Sequence, residues 1–122
     1  MRFYPLTDDH TENDALAGEY TAARAIGKIR LGEMRLYFKA GIRTYYIPYH
    51  DVHRLFRRVL EVPAKLCCGK GDFEIENLVI CGEGDRELAQ IQLPGRKAAK
   101  VLMDELRERI PEAQFGRPTK NE

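Results

Sequence analysis

His50 and His53, three residues apart, and the thiols of Cys67, Cys68 and Cys81 are the side chains of this 122-residue chain best suited to hold a metal ion. Imidazole nitrogen and thiolate sulfur are ordinary zinc ligands, and a tetrahedral site needs four of them converging. The spacing speaks against convergence. His50 and His53 share a face only if their stretch is helical, adjacent cysteines rarely serve one tetrahedral ion, and no Cys-x-x-Cys occurs. The plainer reading packs Cys67 and Cys81 as small hydrophobes and leaves the histidines on the surface. No metal and no cofactor are expected.

A cysteine and a histidine also invite a nucleophilic reading, but no Gly-x-Ser-x-Gly and no third, orienting residue accompanies them. The glycines of Cys81-Gly82-Glu83-Gly84-Asp85 sit among carboxylates, where a phosphate-cradling loop needs bare backbone N–H groups leading into a helix. The chain is therefore read as a non-catalytic protein.

Cations interleaved with aromatic rings are the remaining chemistry. Lys39, Arg43, Arg54, Arg57 and Arg58 lie among Tyr37, Tyr45, Tyr46 and Tyr49, a mixture that single-strand nucleic-acid binders use. Residues 28–70 hold ten basic and three acidic groups, net +7, while 1–27 and 71–122 each carry a net −3. The isoelectric point near 7.7 is modest for a dedicated nucleic-acid binder. Strand alternation also puts Tyr45 and Tyr46 on opposite faces, so at least one is core. The five cations are retained as candidate binding residues, for nucleic acid or acidic lipid, beside the plainer reading of solvated or locally paired charge.

The elements that must position these groups begin with Met34–Tyr49. Leu36 and Phe38 alternate with Arg35, Tyr37 and Lys39, Ala40-Gly41 breaks the run, and Ile42–Ile47 resumes it, which predicts an antiparallel hairpin closed by Pro48. Ile26–Leu31 reads as a strand before it. Residues 1–13 read as a poorly anchored arm, and Thr11 with Asp14 offers a capping-box spacing for a short helix containing Leu16 and Tyr20. Residues 51–62 are ambiguous: Val52, Leu55, Phe56, Val59 and Leu60 form a helical stripe, but the β-branched content and sheet-like neighbours favour a strand. Ala64–Cys68 is a further short strand, Phe73–Cys81 a strand apolar on both faces, and Glu87–Leu93 another after a turn at Gly82–Asp85. Arg96–Ile110 is the clearest helix, with Ala99, Leu102, Met103, Leu106 and Ile110 in one stripe. Pro111 ends it, and 112–122 reads as a mobile tail.

With 51–62 extended, the order is seven strands in meander followed by one amphipathic helix, and this layout resembles the pleckstrin-homology superfold. The segment Tyr45-Tyr46-Ile47-Pro48-Tyr49-His50-Asp51-Val52 is similar to the aromatic-Ile-Pro continuation of bacterial PH-like and GRAM-like domains. The resemblance implies a mainly β (α+β) protein: a partly open barrel of about seven antiparallel strands with a C-terminal capping helix, over residues 25–111, preceded by the arm of 1–24 and followed by the tail. It implies a binding module, since this superfold hosts lipid, peptide and protein ligands alike. Two departures stand out. The chain has no Trp, which eukaryotic PH domains carry in the terminal helix, and Glu33 sits among Lys28, Arg30 and Arg35, where lipid-binding relatives cluster cations.

The expected function is thus protein–protein interaction or scaffolding, with homodimerisation through edge strands left open and binding of nucleic acid or acidic lipid as the alternative. The chain has no apolar run near the roughly eighteen residues a spanning helix needs, no signal-peptide pattern at Met1–Pro5, and an odd number of cysteines that suits no disulfide framework. A cytoplasmic location is the expectation.

Overall fold

The computed structural model describes residues 2–62 and 73–117. Strands β1 (Phe3–Pro5), β2 (Arg24–Ile26), β3 (Ile29–Leu31), β4 (Arg35–Ala40) and β5 (Arg43–Pro48) form one sheet in the order β1-β5-β4-β3-β2. Strands β6 (Arg54–Val62), β7 (Phe73–Cys81), β8 (Glu87–Gln92) and β9 (Gln114–Phe115) form a second, ordered β8-β7-β6-β9. Helix α1 (Asn13–Ala22) precedes β2, and helix α2 (Arg96–Arg109) follows β8. The protein is mainly β, with two sheets and a C-terminal helix; among the described residues the sheets do not close into a barrel by hydrogen bonding. No helix among the described residues is long and apolar enough to cross a membrane.

The predicted hairpin is β4–β5, with Leu36 opposite Ile47 and Phe38 opposite Tyr45. Their inward side chains join Ile29 and Leu31 of β3, Leu55 of β6, Leu78 and Ile80 of β7, Ile91 of β8, and Ala99, Leu102 and Leu106 of α2 in one core. Burying one such leucine contributes about 2–3 kcal/mol, so the helix stripe and the strand alternation together fix which faces meet.

Residues 51–62 hold the decisive element. Arg54–Val62 is a strand, paired along its whole length with Phe73–Cys81. The apparent helical stripe arises because this strand is covered on both faces near its start: Leu55 enters the main core, while Phe56 packs with Val79 and Cys81 on the opposite face. Phe73–Cys81 is two-faced for the same reason. Past Asn77 toward Phe73, β7 has no β8 partner, so the β6–β7 ribbon runs beyond the end of β8.

Four expectations change. Ile26–Leu31 is not one strand but the end of β2, a turn at Gly27-Lys28, and β3. Gly27 has φ +60°, and a Cβ there would lie 2.7 Å from the Pro94 ring, so both backbone and packing favour glycine. The arm is anchored: β1 pairs in parallel with β5, Phe3 opposite Thr44. The capping box does not form. Glu12 is the N-cap residue, and the Thr11 hydroxyl accepts from Arg35 instead. Residues 112–117 are held as well, because Ala113 is buried and β9 lies parallel to β6. The strand expected at Ala64–Cys68 lies outside the described residues.

Candidate functional site

The five candidate cations fall into two separate groups. Lys39 and Arg43 sit at the turn end of the β4–β5 hairpin; Arg54, Arg57 and Arg58 lie on β6 in the other sheet. The two groups differ in what surrounds them.

On β6 each arginine meets a carboxylate. Arg54, almost wholly buried, donates from Nε to Asp85 at 2.9 Å, from Nη2 to the Gln114 side chain and from Nη1 to the Gly116 carbonyl at 3.0 Å, clasping the β7–β8 turn and β9. Arg58 donates to Glu87 at 2.9 Å and Gln90 on β8, and its guanidinium lies 5.6 Å from the Phe56 ring centroid. Arg54 and Arg58 thereby flank the outer cluster of Phe56, Val79 and Cys81. Burial pushes the Cys81 thiol up, as do Asp85 and Glu87, which keeps it protonated. Arg57 points to the opposite face and pairs with Glu76, a carboxylate buried to 3% exposure.

Arg57 also lines a cleft of about 440 Å³ between β6, α2 and the segment after β9. Lys100, Arg107 and Arg117 line it too, with Met103 beside them and Asp104 as its single acid. Lys100 and Arg117 have no ion pair among the described residues, while Arg107 lies 3.5 Å from Asp104 and 5.2 Å from the Phe115 ring centroid. Sequence reasoning missed these three cations. The signal was present: residues 100, 103, 104 and 107 follow the spacing of one helical face.

The open side of β6 borders this cleft. Gln114 N–H donates to the His53 carbonyl at 2.9 Å and Gly116 N–H to the Leu55 carbonyl at 3.0 Å, so Leu55 turns its backbone polar groups toward β9. By the two-residue period those of Arg57, Val59 and Glu61 point the same way. There, among the described residues, no strand pairs with them. Val59 and Leu60, on opposite faces, are 38% and 42% exposed.

At the other group, Lys39 and Arg43 are joined by Arg2, one step before the β1–β5 register, and by Lys28 in the β2–β3 turn. None of the four has an ion pair among the described residues. The guanidinium groups of Arg43 and Arg2 lie 4.9 and 5.5 Å from the Tyr4 ring centroid. Ile42, at the turn, is fully exposed. Residues 2–6, 27–31 and 34–50, which hold these four cations, contain no acid of their own.

The outer face of the first sheet is closed by the N-terminal segment. Phe3, Tyr20, Tyr37 and Tyr46 stack edgewise or tilted with ring centroids 5.4–6.0 Å apart, and Leu16 packs against them. Around the rings, Tyr46 donates to Asp9 at 2.7 Å, and Glu19 accepts from Tyr37, Arg35 and the Met34 N–H. Gly32 makes room for Glu19, whose side chain would lie 2.5 Å from a Cβ at that position. The tyrosines interleaved with the cations are thus structural on this face, as alternation required of at least one.

His50 Nδ1 lies 3.0 Å from Asp51, and no group of three or more His, Cys, Asp or Glu among the described residues is placed to hold a metal ion. Cys67 and Cys68 lie outside the described residues.

Comparison with protein-family models, with curated proteins and with solved structures finds no match for this chain.

Proposed function

We propose that this chain is a non-catalytic binding module of PH-like layout whose work is protein–protein interaction. Among the described residues, the seven strands β2–β8 support the layout, β2–β5 in one antiparallel meander and β6–β8 in a second, with α2 directly after them. In this reading β1 and β9 are additions, one at the edge of each sheet.

The observation that carries the interaction reading is the side of β6 that, past Leu55 and among the described residues, has no strand paired to it. An edge strand with unpaired backbone groups and flanking aliphatic side chains is a template for another chain, and proteins normally blunt such edges. Here Arg54 and Arg58 are turned inward to carboxylates on the same sheet and Val59 and Leu60 stay exposed. A photo-crosslinking amino acid at position 60, introduced in living cells that make the chain, tests this. One polypeptide crosslinked at 60 and absent when the probe sits at exposed position 14, on the helix α1 that packs against the other sheet, is the expected result. No protein adduct at 60 overturns it.

A second reading rests on a different observation, the four cations Arg2, Lys28, Lys39 and Arg43, without an ion pair among the described residues, at the end of the first sheet that carries exposed Ile42. These groups suit an anionic partner, nucleic acid or acidic lipid. Binding of a single-stranded oligonucleotide or of vesicles containing phosphatidylserine would then fall steeply as salt rises and be lost in K39E/R43E. Binding insensitive to both changes contradicts that reading.

A further inference from the structure

The groove between β6 and α2 already holds one extended segment, and its chemistry points to the kind that extends it. Strand β9 covers only Arg54 and Leu55 of a nine-residue strand, so the groove accepts a peptide backbone and then continues without one, among the described residues, past Arg57, Val59 and Glu61. Its walls repel a basic ligand and attract an acidic one. Arg57, Lys100, Arg107 and Arg117 face it against Asp104, and Lys100 and Arg117 have no ion pair among the described residues. Met103, nearly buried, supplies an adaptable apolar surface between the cations. Glu61, at the far end of the edge, restricts where an acidic side chain can sit, placing it toward Arg57.

We propose that β6 is a strand-addition site for an extended acidic segment of a partner protein, alternating carboxylate and aliphatic residues, which lengthens the second sheet beyond β9. Backbone hydrogen bonds to Arg57, Val59 and Glu61 supply the affinity common to any strand. The cations on α2 select carboxylates on the face shared by Arg57 and Val59, and Leu60, on the opposite face, receives the aliphatic side chains. This rests on reading the chain as a protein-binding module and assigns that module its site and ligand class.

The test uses the full chain and an acetylated decapeptide of alternating Glu and Val as probe, with two controls: the Lys–Val counterpart and the Glu–Val sequence N-methylated throughout. Titration followed by amide-resolved NMR is expected to show the Glu–Val peptide protecting the Val59 and Glu61 amides from exchange. Binding should weaken about tenfold or more with the Lys–Val peptide, with N-methylation, and with K100E, an exposed position whose change leaves the unfolding midpoint in place. Three results overturn the proposal: no binding at about 1 mM peptide, equal binding of the N-methylated peptide, or a dimer of the chain in which those amides are protected without peptide. If the peptide fails while a crosslink at position 60 still captures a protein, the ligand class is wrong and the interaction reading stands.

Discussion

The phenol of Tyr37 donates a 2.5 Å hydrogen bond to Oε1 of Glu19, the same oxygen that accepts from the Arg35 guanidinium at 2.8 Å. One carboxylate on α1 therefore fastens that helix to two residues of β4, and its second oxygen takes the Met34 N–H at 2.6 Å. Helix α1 needs this tether. It has no side-chain N-cap, and Gly18 and Thr21 lower its intrinsic propensity. Glu19→Ala leaves the Tyr37 hydroxyl and Arg35 without their acceptor in a partly buried site. A loss of about 2–3 kcal/mol in urea unfolding is expected, with faster amide exchange across Asn13–Ala22. An unchanged midpoint would show that the aromatic packing alone holds the helix.

Acid should loosen the same contact. Burial acts to raise the Glu19 carboxyl, but hydrogen bonds from Tyr37, Arg35 and the Met34 N–H outweigh it and hold the group below its ordinary value of 4.5. Asp9 is lowered likewise from 3.8: burial opposes, and Tyr46 and Thr11 prevail. Both carboxylates favour the folded state when ionised, so their stabilisation is complete above the unfolded values and fades as pH falls through the folded ones. The unfolding midpoint should drop on acidification below about pH 4.5, and Glu19→Gln should flatten that slope. A slope identical in the variant contradicts the assignment.

Alkali should act through the tyrosines. Burial foremost, with Glu19 beside Tyr37 and Asp9 beside Tyr46, pushes those two phenols far above the ordinary 10, and burial pushes Tyr49 up to about 12. A raised phenol favours the folded state while neutral, so this stabilisation is full below about pH 10 and is lost as pH rises through the folded values. Tyrosinate absorbance at about pH 11 should be lower in the folded chain than in urea. Equal absorbance, with the chain still folded, would contradict the burial of these hydroxyls.

The β2–β3 turn offers a backbone test. Gly27→Ala forces a side chain into φ +60° and against the Pro94 ring, and should cost about 1–2 kcal/mol or more by thermal or urea unfolding. A neutral substitution would mean that the turn can rearrange without losing the contact between β2 and the loop before α2.

The architecture was legible where one period dominated. Leu36 and Phe38 against Arg35 and Lys39 announced β4, and the Ala99–Leu106 stripe announced α2. What misled was burial on two faces. Leu55 and Phe56 are adjacent and both buried, which in isolation imitates a helix, and only pairing with β7, far along the chain, makes both inward. The short strands β1 and β9 carry no periodicity of their own, because two or three residues cannot, and each is fixed by a parallel partner distant in sequence. The candidate site was half legible. Arg54, Arg57 and Arg58 were visible as a basic run, but not that acids from β7, β8 and the turn between them would meet them. The cleft cations on α2 were hidden because a charged helix face is the ordinary solvated surface until a groove forms beside it.

The interaction reading depends on β6 being extended with one side open, and amide-resolved hydrogen exchange with backbone chemical shifts over Arg54–Glu61 measures both at once. The account predicts extended shifts throughout, with slow exchange at Phe56, Arg58 and Leu60, which face β7, alternating with fast exchange at Val59 and Glu61. Helical shifts, or uniformly slow exchange along the strand in the free chain, would contradict it.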